Sequence, residues 1–358
     1  MTMERNQVLT DSVLSLPRAK SEKSGRAARL ALLTDRHRLL TTAILAVGFL
    51  VVPFVADDYS FSAILIPFLV LSLAGLGLNI LTGYTGQLSL GSAAFMAVGA
   101  FATYNFQLRV PGIPLLVSLL LGGASSAVVG ILFGLPSLRI KGFYLIVSTL
   151  AAQFFVEWAL TKFAWFSNYN PSGVISAPPL RWFGQDLSSP AGRYLLTLVV
   201  VTGLTWVARN LVRSQTGRNW MAVRDMDTAA SVLGIPILRS KLEAFAVSSF
   251  YCGIAGALWA FAYLGTVEPH GFDLGRSFQI LFIVILGGLG SLVGPFLGAA
   301  FMVLLPILLN HVATGFFAGS VDPGHLENLQ KVLFGSLIIF FLIREPDGLA
   351  RLLKWRKS

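Results

Sequence analysis

The sequence predicts an all-α, polytopic membrane protein of about ten transmembrane helices with both termini cytoplasmic. Three observations carry that expectation. Mean hydropathy is +0.72, and 55% of the 358 residues are apolar against 12% charged, a balance outside the range of water-soluble domains. Apolar runs of about twenty residues, enough to cross a bilayer core, recur along the chain. The basic residues fall into a few short segments between those runs, as the asymmetry of cytoplasmic loops requires.

Taken in order, the apolar runs lie near 39–55, 61–81, 87–104, 113–135, 143–163, 194–208, 242–264 and 329–343. A ninth run, 278–310, is too long for one tilted span and is broken by Gly287, Gly288, Gly290, Gly294 and Pro295. It reads as two short spans joined by a tight turn, which brings the total to ten. With the N-terminus inside, the inner segments are 1–38, 136–142, 209–241 and 344–358, and they hold 21 of the 27 Lys and Arg residues. The other six, Arg109, Lys162, Arg181, Arg193, Arg276 and Lys331, fall in outer loops or at the span ends facing them. The excess of positive charge therefore reports orientation and contact with anionic membrane lipid, with nothing that points to nucleic acid.

Three divisions follow. Residues 1–38 form a basic, Ser- and Arg-rich cytoplasmic arm, 39–344 the transmembrane domain, and 345–358 a cytoplasmic tail. The arm is too long for the charged leader of a cleaved signal, and Val55-Ala56-Asp57 is not a cleavage site. Cys252, the sole cysteine, lies beside Gly253 and Gly256 and reads as a small residue in a close helix contact. His37, His270, His311 and His325 form no ligand pair at helical spacing, so no metal or other cofactor is expected.

Charge within the spans is nearly absent, and the exception is Glu157. Two readings of it stand side by side: a residue hydrated or locally paired near the outer interface, beside Trp158, Lys162 and Trp165, or a proton carrier. Glu243 and Lys241 sit at the mouth of a span and snorkel. The chain has no Gly-x-x-x-x-Gly-Lys-Ser/Thr loop to hold nucleotide phosphates and no His, Cys or carboxylate cluster marking a reacting centre. Energy from ATP would have to come through a separate subunit.

The 209–241 segment is where such a subunit would act. From Trp220 to Leu233 it has helical spacing, with apolar Trp220, Val223, Ala230 and Leu233 among Arg224, Asp225, Asp227 and Thr228, and Gly234 and Pro236 supply the stop. The expectation is one short cytoplasmic helix whose apolar residues fill a groove on a partner, so that Ala230→Glu leaves the protein folded but uncoupled. A helix lying on lipid is the alternative, and Asp225 and Asp227 argue against it.

Three motifs then carry a family resemblance. Leu78-Asn79-Ile80-Leu81-Thr82-Gly83-Tyr84-Thr85-Gly86-Gln87-Leu88-Ser89-Leu90-Gly91 is followed by Ala93-Ala94-Phe95 and Gly99-Ala100. Gly217-Arg218 leads to Arg224-Asp225, Ala229-Ala230 and Leu233-Gly234, and Leu286-Gly287-Gly288-Leu289-Gly290-Ser291-Leu292 to Gly294-Pro295 and Gly298-Ala299. In this order and at these separations the chain, from about Leu78 to Asn310, resembles the LivM-like permease subunits of bacterial branched-chain amino acid ABC transporters. The loop resembles a Glu-Ala-Ala-x-x-x-Gly coupling helix in which Ala229, Ala230 and Gly234 keep the spacing, while Thr228 stands at the acidic position and Asp227 one residue early. The resemblance implies a bacterial cytoplasmic-membrane complex with a second, LivH-like permease, two ABC ATPase subunits and an extracytoplasmic substrate-binding protein. It implies ATPase coupling through Arg218, Arg224, Asp225, Asp227, Ala229, Ala230, Leu233 and Gly234.

Broken helices in corresponding parts of two halves point to a translocation pathway. A five-plus-five inverted repeat pairs span three with span eight, and so the break at Gly83, Gly86 and Gly91 with that at Gly287, Gly288 and Gly290. Asn79, Gln87, Ser89, Ser92 and Ser291 would assist freed backbone groups in receiving the polar ends of a solute. The alternative is that these glycines only allow close helix packing. An uncharged lining suits a net-neutral amino acid with an apolar side chain, and equally urea or a short amide. The outer segment from Ala164 to Arg193 offers Trp165, Tyr169, Trp182 and Phe183 either to a binding protein or to an aromatic belt. An ion-coupled carrier working through Glu157 and a membrane-embedded enzyme are the competing function classes.

Overall fold

The structure is a computed structural model that describes residues 45–137, 143–170, 174–178, 180–182 and 185–317, with isolated positions at 43 and within 332–350. Apart from those isolated positions, the N-terminal arm, the tenth expected span and the C-terminal tail lie outside the described residues. The chain divides into two units, Met1–Ala56 and Asp57–Ser358. In the first, the described part of the first expected span turns through Val47–Val51 as a wide π-helix and through Val52–Val55 as an α-helix, with Pro53 in the opening turn, where no amide donor is needed.

The second unit is a helical bundle. Its helices are α1 (Ser60–Thr85), α2 (Ser92–Arg109), α3 (Leu115–Ser137), α4 (Phe143–Lys162), α5 (Pro190–Arg213), α6 (Gln215–Asp225), α7 (Asp227–Val232), α8 (Ile237–Leu264), α9 (Leu274–Gly287) and α10 (Gly294–Phe317). Four of them, α1, α3, α5 and α8, are long and apolar enough to cross a membrane. The 278–310 run is indeed two helices, α9 and α10, meeting at a turn. The polar helices α6 and α7 mark one end of the bundle, called here the loop end. Leu349 donates its N–H to the Leu286 carbonyl at 2.9 Å, which brings the chain back to that end after α10.

Burial sorts the bundle into layers. In α1 and α8, 83% of the apolar stretch is buried, against 39% in α3 and α5, so the first two form the centre and the others a flank. The central seam is built from small residues, because only they let backbones approach so closely. A Cβ on Gly99 would strike the backbone of Gly253, and one on Gly256 the backbone of Met96. Ser126 Oγ lies within hydrogen-bond distance of the carbonyls of Phe95 (2.9 Å) and Ser249 (2.8 Å), tying α3 to α2 and α8. Cys252 is buried in the same seam.

Two features depart from the sequence reading. The expected span at 87–104 is helical only from Ser92: Gly86 takes a left-handed φ of +71°, returns its N–H to the Leu81 and Thr82 carbonyls, and ends α1. The chain then runs through Gly91 without helical structure before α2 begins. At the opposite end, four two-residue strands lie among the helices of the described residues, with β1 (Ile175–Ser176) pairing with β4 (Thr266–Val267) and β2 (Arg181–Trp182) with β3 (Gln185–Asp186), both antiparallel.

A candidate coupling site at the loop end

The 209–241 segment folds differently from the single helix expected. Helix α5 runs on to Arg213, α6 ends at Asp225, and extended Met226 (φ −160°, ψ 100°) separates α6 from α7. Asp227, in the first turn of α7, is held by Lys241 at 2.8 Å, which sets α7 against the start of α8. The left-handed residue after α7 is Gly234, at φ +79°.

Burial reverses the expected role of three of the four apolar residues and leaves only Leu233 exposed as expected. Trp220, Val223 and Ala230 are buried within this chain and hold the loop onto the bundle. Exposure falls instead on Met226, Val232 and Leu233, with Val232 87% exposed, and on Ala229. A glutamate at Ala230 would therefore be forced into the fold, which corrects the expectation that Ala230→Glu leaves the protein folded.

The three sequence motifs meet around Arg224. Its Nη1 donates to the Gly83 carbonyl at 2.8 Å, while Nε donates to Asp225 at 2.9 Å. A Cβ on Gly86 would lie 3.1 Å from Arg224 Cγ, and one on Gly290 would lie 3.3 Å from Arg224 Nη1. The guanidinium thus occupies a notch between the end of α1 and the α9–α10 turn that only glycines leave open.

Asn79 closes the same junction from inside. Fully buried, it donates from Nδ2 to the Ser291 carbonyl at 2.8 Å and accepts from the Gly290 N–H at 2.9 Å. Gly83 must be a glycine here, since its Cβ would strike Gly290 N. Gly288 and Gly290 have φ of +107° and +70°, which the turn requires. Asn79 and Gly290 are thus joined to each other, and Gly287 packs against Gly294.

Gln87 makes a second tie. Its Nε2 lies 3.0 Å from Thr85 Oγ1 and 3.3 Å from the Lys241 carbonyl, and its buried Oε1 has no partner among the described residues. Ser89 and Gly91 lie farther in, where Ser89 Oγ accepts from the Gly91 N–H at 3.3 Å. Arg218 stands apart from this site, bound to Gln215 Oε1 and the Arg213 carbonyl on the exposed side of α6.

Beyond the junction, α2 starts in the middle of the bundle. Leu90 N–H donates to Thr149 Oγ1 (3.0 Å), Ala93 N–H to Ser277 Oγ (2.9 Å) and Ala94 N–H to Gln153 Oε1 (2.6 Å). Gln153 is ten residues into α4, about 15 Å along its axis. Helix α9, with Ser277 near its start, has 14 residues and is about 20 Å long, short of the ~30 Å hydrocarbon core. Two half-helices therefore begin side by side in the interior and run in opposite directions.

Their approaches also match. Gly86 (φ +71°, ψ 18°) ends α1 before α2, and Gly265 (φ +71°, ψ 3°) ends α8 before α9. The start of span three lies beside the start of span eight, and the break that resembles Gly83–Gly91 in geometry is Gly265–Asp273 rather than Gly287–Gly290. Sequence reasoning missed Thr149, Gln153 and Ser277, although a Thr and a Gln four residues apart on one face of an apolar helix are a legible signal of interior polar work.

Glu157 lies 3.7 Å from His270 Nδ1, with its side chain 26% exposed. It has a local partner at the end opposite the loop helices.

The branched-chain amino acid transport system / permease component family matches residues 60–342, which include every residue of the junction. This chain belongs to that family. Among its relatives in it are the high-affinity branched-chain amino acid transport system permease proteins LivM of Salmonella typhimurium and Escherichia coli. They are 31% and 30% identical over 298 residues, 77% of this chain and 66% of theirs. The chain thus spans about two thirds of the length of those relatives. The fructose import permease protein FrcC of Rhizobium meliloti is 25% identical over 71% of this chain and 69% of its own. No solved structure matches.

Proposed function

We propose that this chain is the membrane-spanning permease subunit of an ABC importer in a bacterial cytoplasmic membrane, moving branched-chain or other hydrophobic amino acids. The observation that carries the reading is the Arg224–Gly83 hydrogen bond, which joins the polar loop to the glycine break between α1 and α2. The loop end is then cytoplasmic. The exposed side of α7, with Met226, Val232 and Leu233, docks an ABC ATPase. A second, LivH-like permease and a second ATPase complete the membrane assembly, and a substrate-binding protein delivers the solute from outside.

When the ATPases close on ATP, α6 and α7 move as a unit, because Trp220, Val223 and Ala230 fix them to this chain. Arg224 and the Asp227–Lys241 pair carry that movement to α1 and α8, the central helices that lead into the two half-helices. Paired half-helices in the interior are the arrangement in which a solute pathway forms. The chain itself performs no chemistry on its cargo. A permease for a polar neutral solute is the second reading, favoured by the likeness to FrcC.

Affinity purification of the tagged chain from its native host, followed by ATPase assays with candidate binding proteins, tests the reading. Co-purification of ATPase subunits and a second permease, with hydrolysis stimulated by leucine-loaded binding protein, is expected. A solitary chain without ATPase overturns it, and stimulation by a sugar or amide alone moves the substrate to the second reading.

A further inference from the structure

A large cavity lies far from the coupling site, in a wedge between α2, α3 and α4. Its volume is about 550 Å³, and its walls are almost wholly apolar, with Phe101 and Val129 among them. It is elongated: on α2 it runs from Arg109 at the end opposite the loop helices to Val98, eleven residues or about 16 Å deeper. Its flank opens sideways, since Leu132 and Phe155 on α3 and α4 are more than half exposed. A slot of this length, open to the bilayer, has the dimensions of a single acyl chain.

The mouth of the slot is polar on one side only. Arg109 lies flat over Trp165, 3.5 Å from the ring centroid, and donates from Nη2 to the Trp165 carbonyl at 3.0 Å, so its guanidinium is held in place with donors to spare. No carboxylate pairs with it among the described residues. One turn below, Asn105 is 7% exposed and spends its Nδ2 on the carbonyls of Phe101 (2.8 Å) and Phe166 (3.1 Å). Its Oδ1 is buried and has no donor among the described residues. A fixed cation at the head of an apolar slot calls for an occupant with an anionic group and an apolar tail.

We propose that this wedge is a binding site for one anionic phospholipid. Its phosphodiester rests on Arg109, and an acyl chain fills the slot down to Val98. The charge of Arg109 selects an anionic head over a zwitterionic one, and the aromatic surfaces of Trp165 and Phe166 sit where interfacial rings sit in membranes. The site is independent of which solute the permease carries.

Tryptophan quenching by lipids brominated in the acyl chain tests it. The purified full-length chain is reconstituted in phosphatidylcholine vesicles doped with either brominated phosphatidylglycerol or brominated phosphatidylcholine. The Trp165 contribution is taken as the difference between wild type and Trp165→Phe. Quenching of Trp165 is expected at roughly fivefold lower mole fraction of the phosphatidylglycerol, the preference that one interfacial Arg confers. Arg109→Gln should abolish the preference, and Ala102→Phe, which narrows the slot and keeps the charge, should weaken quenching by both lipids. Equal quenching by the two lipids in wild type would mean only the ordinary lipid annulus touches Trp165 and would overturn the site. So would an unchanged preference in Arg109→Gln, or no quenching because another protein covers the wedge.

Discussion

Arg224 Nη1 and the carbonyl oxygen of Gly83 stand 2.8 Å apart, joining residues 141 positions apart in the chain. The bond ties the last turn of a loop helix to the last turn of a central span, and with the Asp227–Lys241 pair it connects the surface that would receive force to the helices that would move.

Arg224→Gln should reduce solute uptake roughly tenfold while leaving the amount of inserted protein unchanged. A hydrogen bond from a charged donor contributes about 1.5–3 kcal/mol, and the 38% exposure of this side chain calls for the lower part of that range. Uptake by reconstituted complex, normalised to ATP hydrolysed, is the measurement. Unaltered coupling would show that force enters elsewhere.

Gly83→Ala should destabilise the protein by about 1–3 kcal/mol, because the new methyl has no space beside Gly290 N and Asn79 Oδ1. Thermal aggregation in detergent reads the loss directly. Gly203→Ala, at a helical glycine with open space around it, is the control and should be neutral or slightly stabilising.

Glutamate at two positions of the loop separates folding from docking. Ala230→Glu buries an unpaired carboxylate and should lower expression sharply. Leu233→Glu, at a position 76% exposed, should give normally inserted protein that no longer retains its ATPase on purification. If Leu233→Glu keeps the ATPase bound, the docking face lies on another part of the loop.

Glu157→Gln should leave uptake within about twofold of wild type, since the carboxylate is partly hydrated and its partner His270 is an exposed loop residue. Loss of uptake, with normal ATPase association, would favour an ion-coupled carrier.

Much of the fold is legible in the sequence because each long span is self-contained. A run of apolar residues must satisfy its own backbone and so becomes a helix wherever it sits, as 61–81 and 242–264 do within α1 and α8. What local pattern does not reveal is where a helix stops inside the membrane. The apolar run continues through residues 87–91, yet they are not helical, because Gly86 turns the chain and because Thr149 and Gln153, some sixty residues away, accept the N–H groups of Leu90 and of Ala94 in the opening turn of α2.

The site divides in the same way. Arg224, Gly83 and Gly290 were readable as members of three motifs; that they touch was not. Nor does helical spacing tell which apolar face of a short amphipathic helix meets its own chain and which meets a partner, and here the face with Trp220 and Ala230 turns inward.

By itself, the sequence determined the class of the protein, the position of most of the long helices and the three motifs that meet at the junction, since hydrophobicity and glycine content are properties of the local chain. Only the tertiary structure decided that those segments form one junction, that α2 and α9 begin beside each other in the interior, and which loop residues remain free. Those outcomes depend on hydrogen bonds and close backbone contacts between residues far apart in the chain, and no local pattern encodes them.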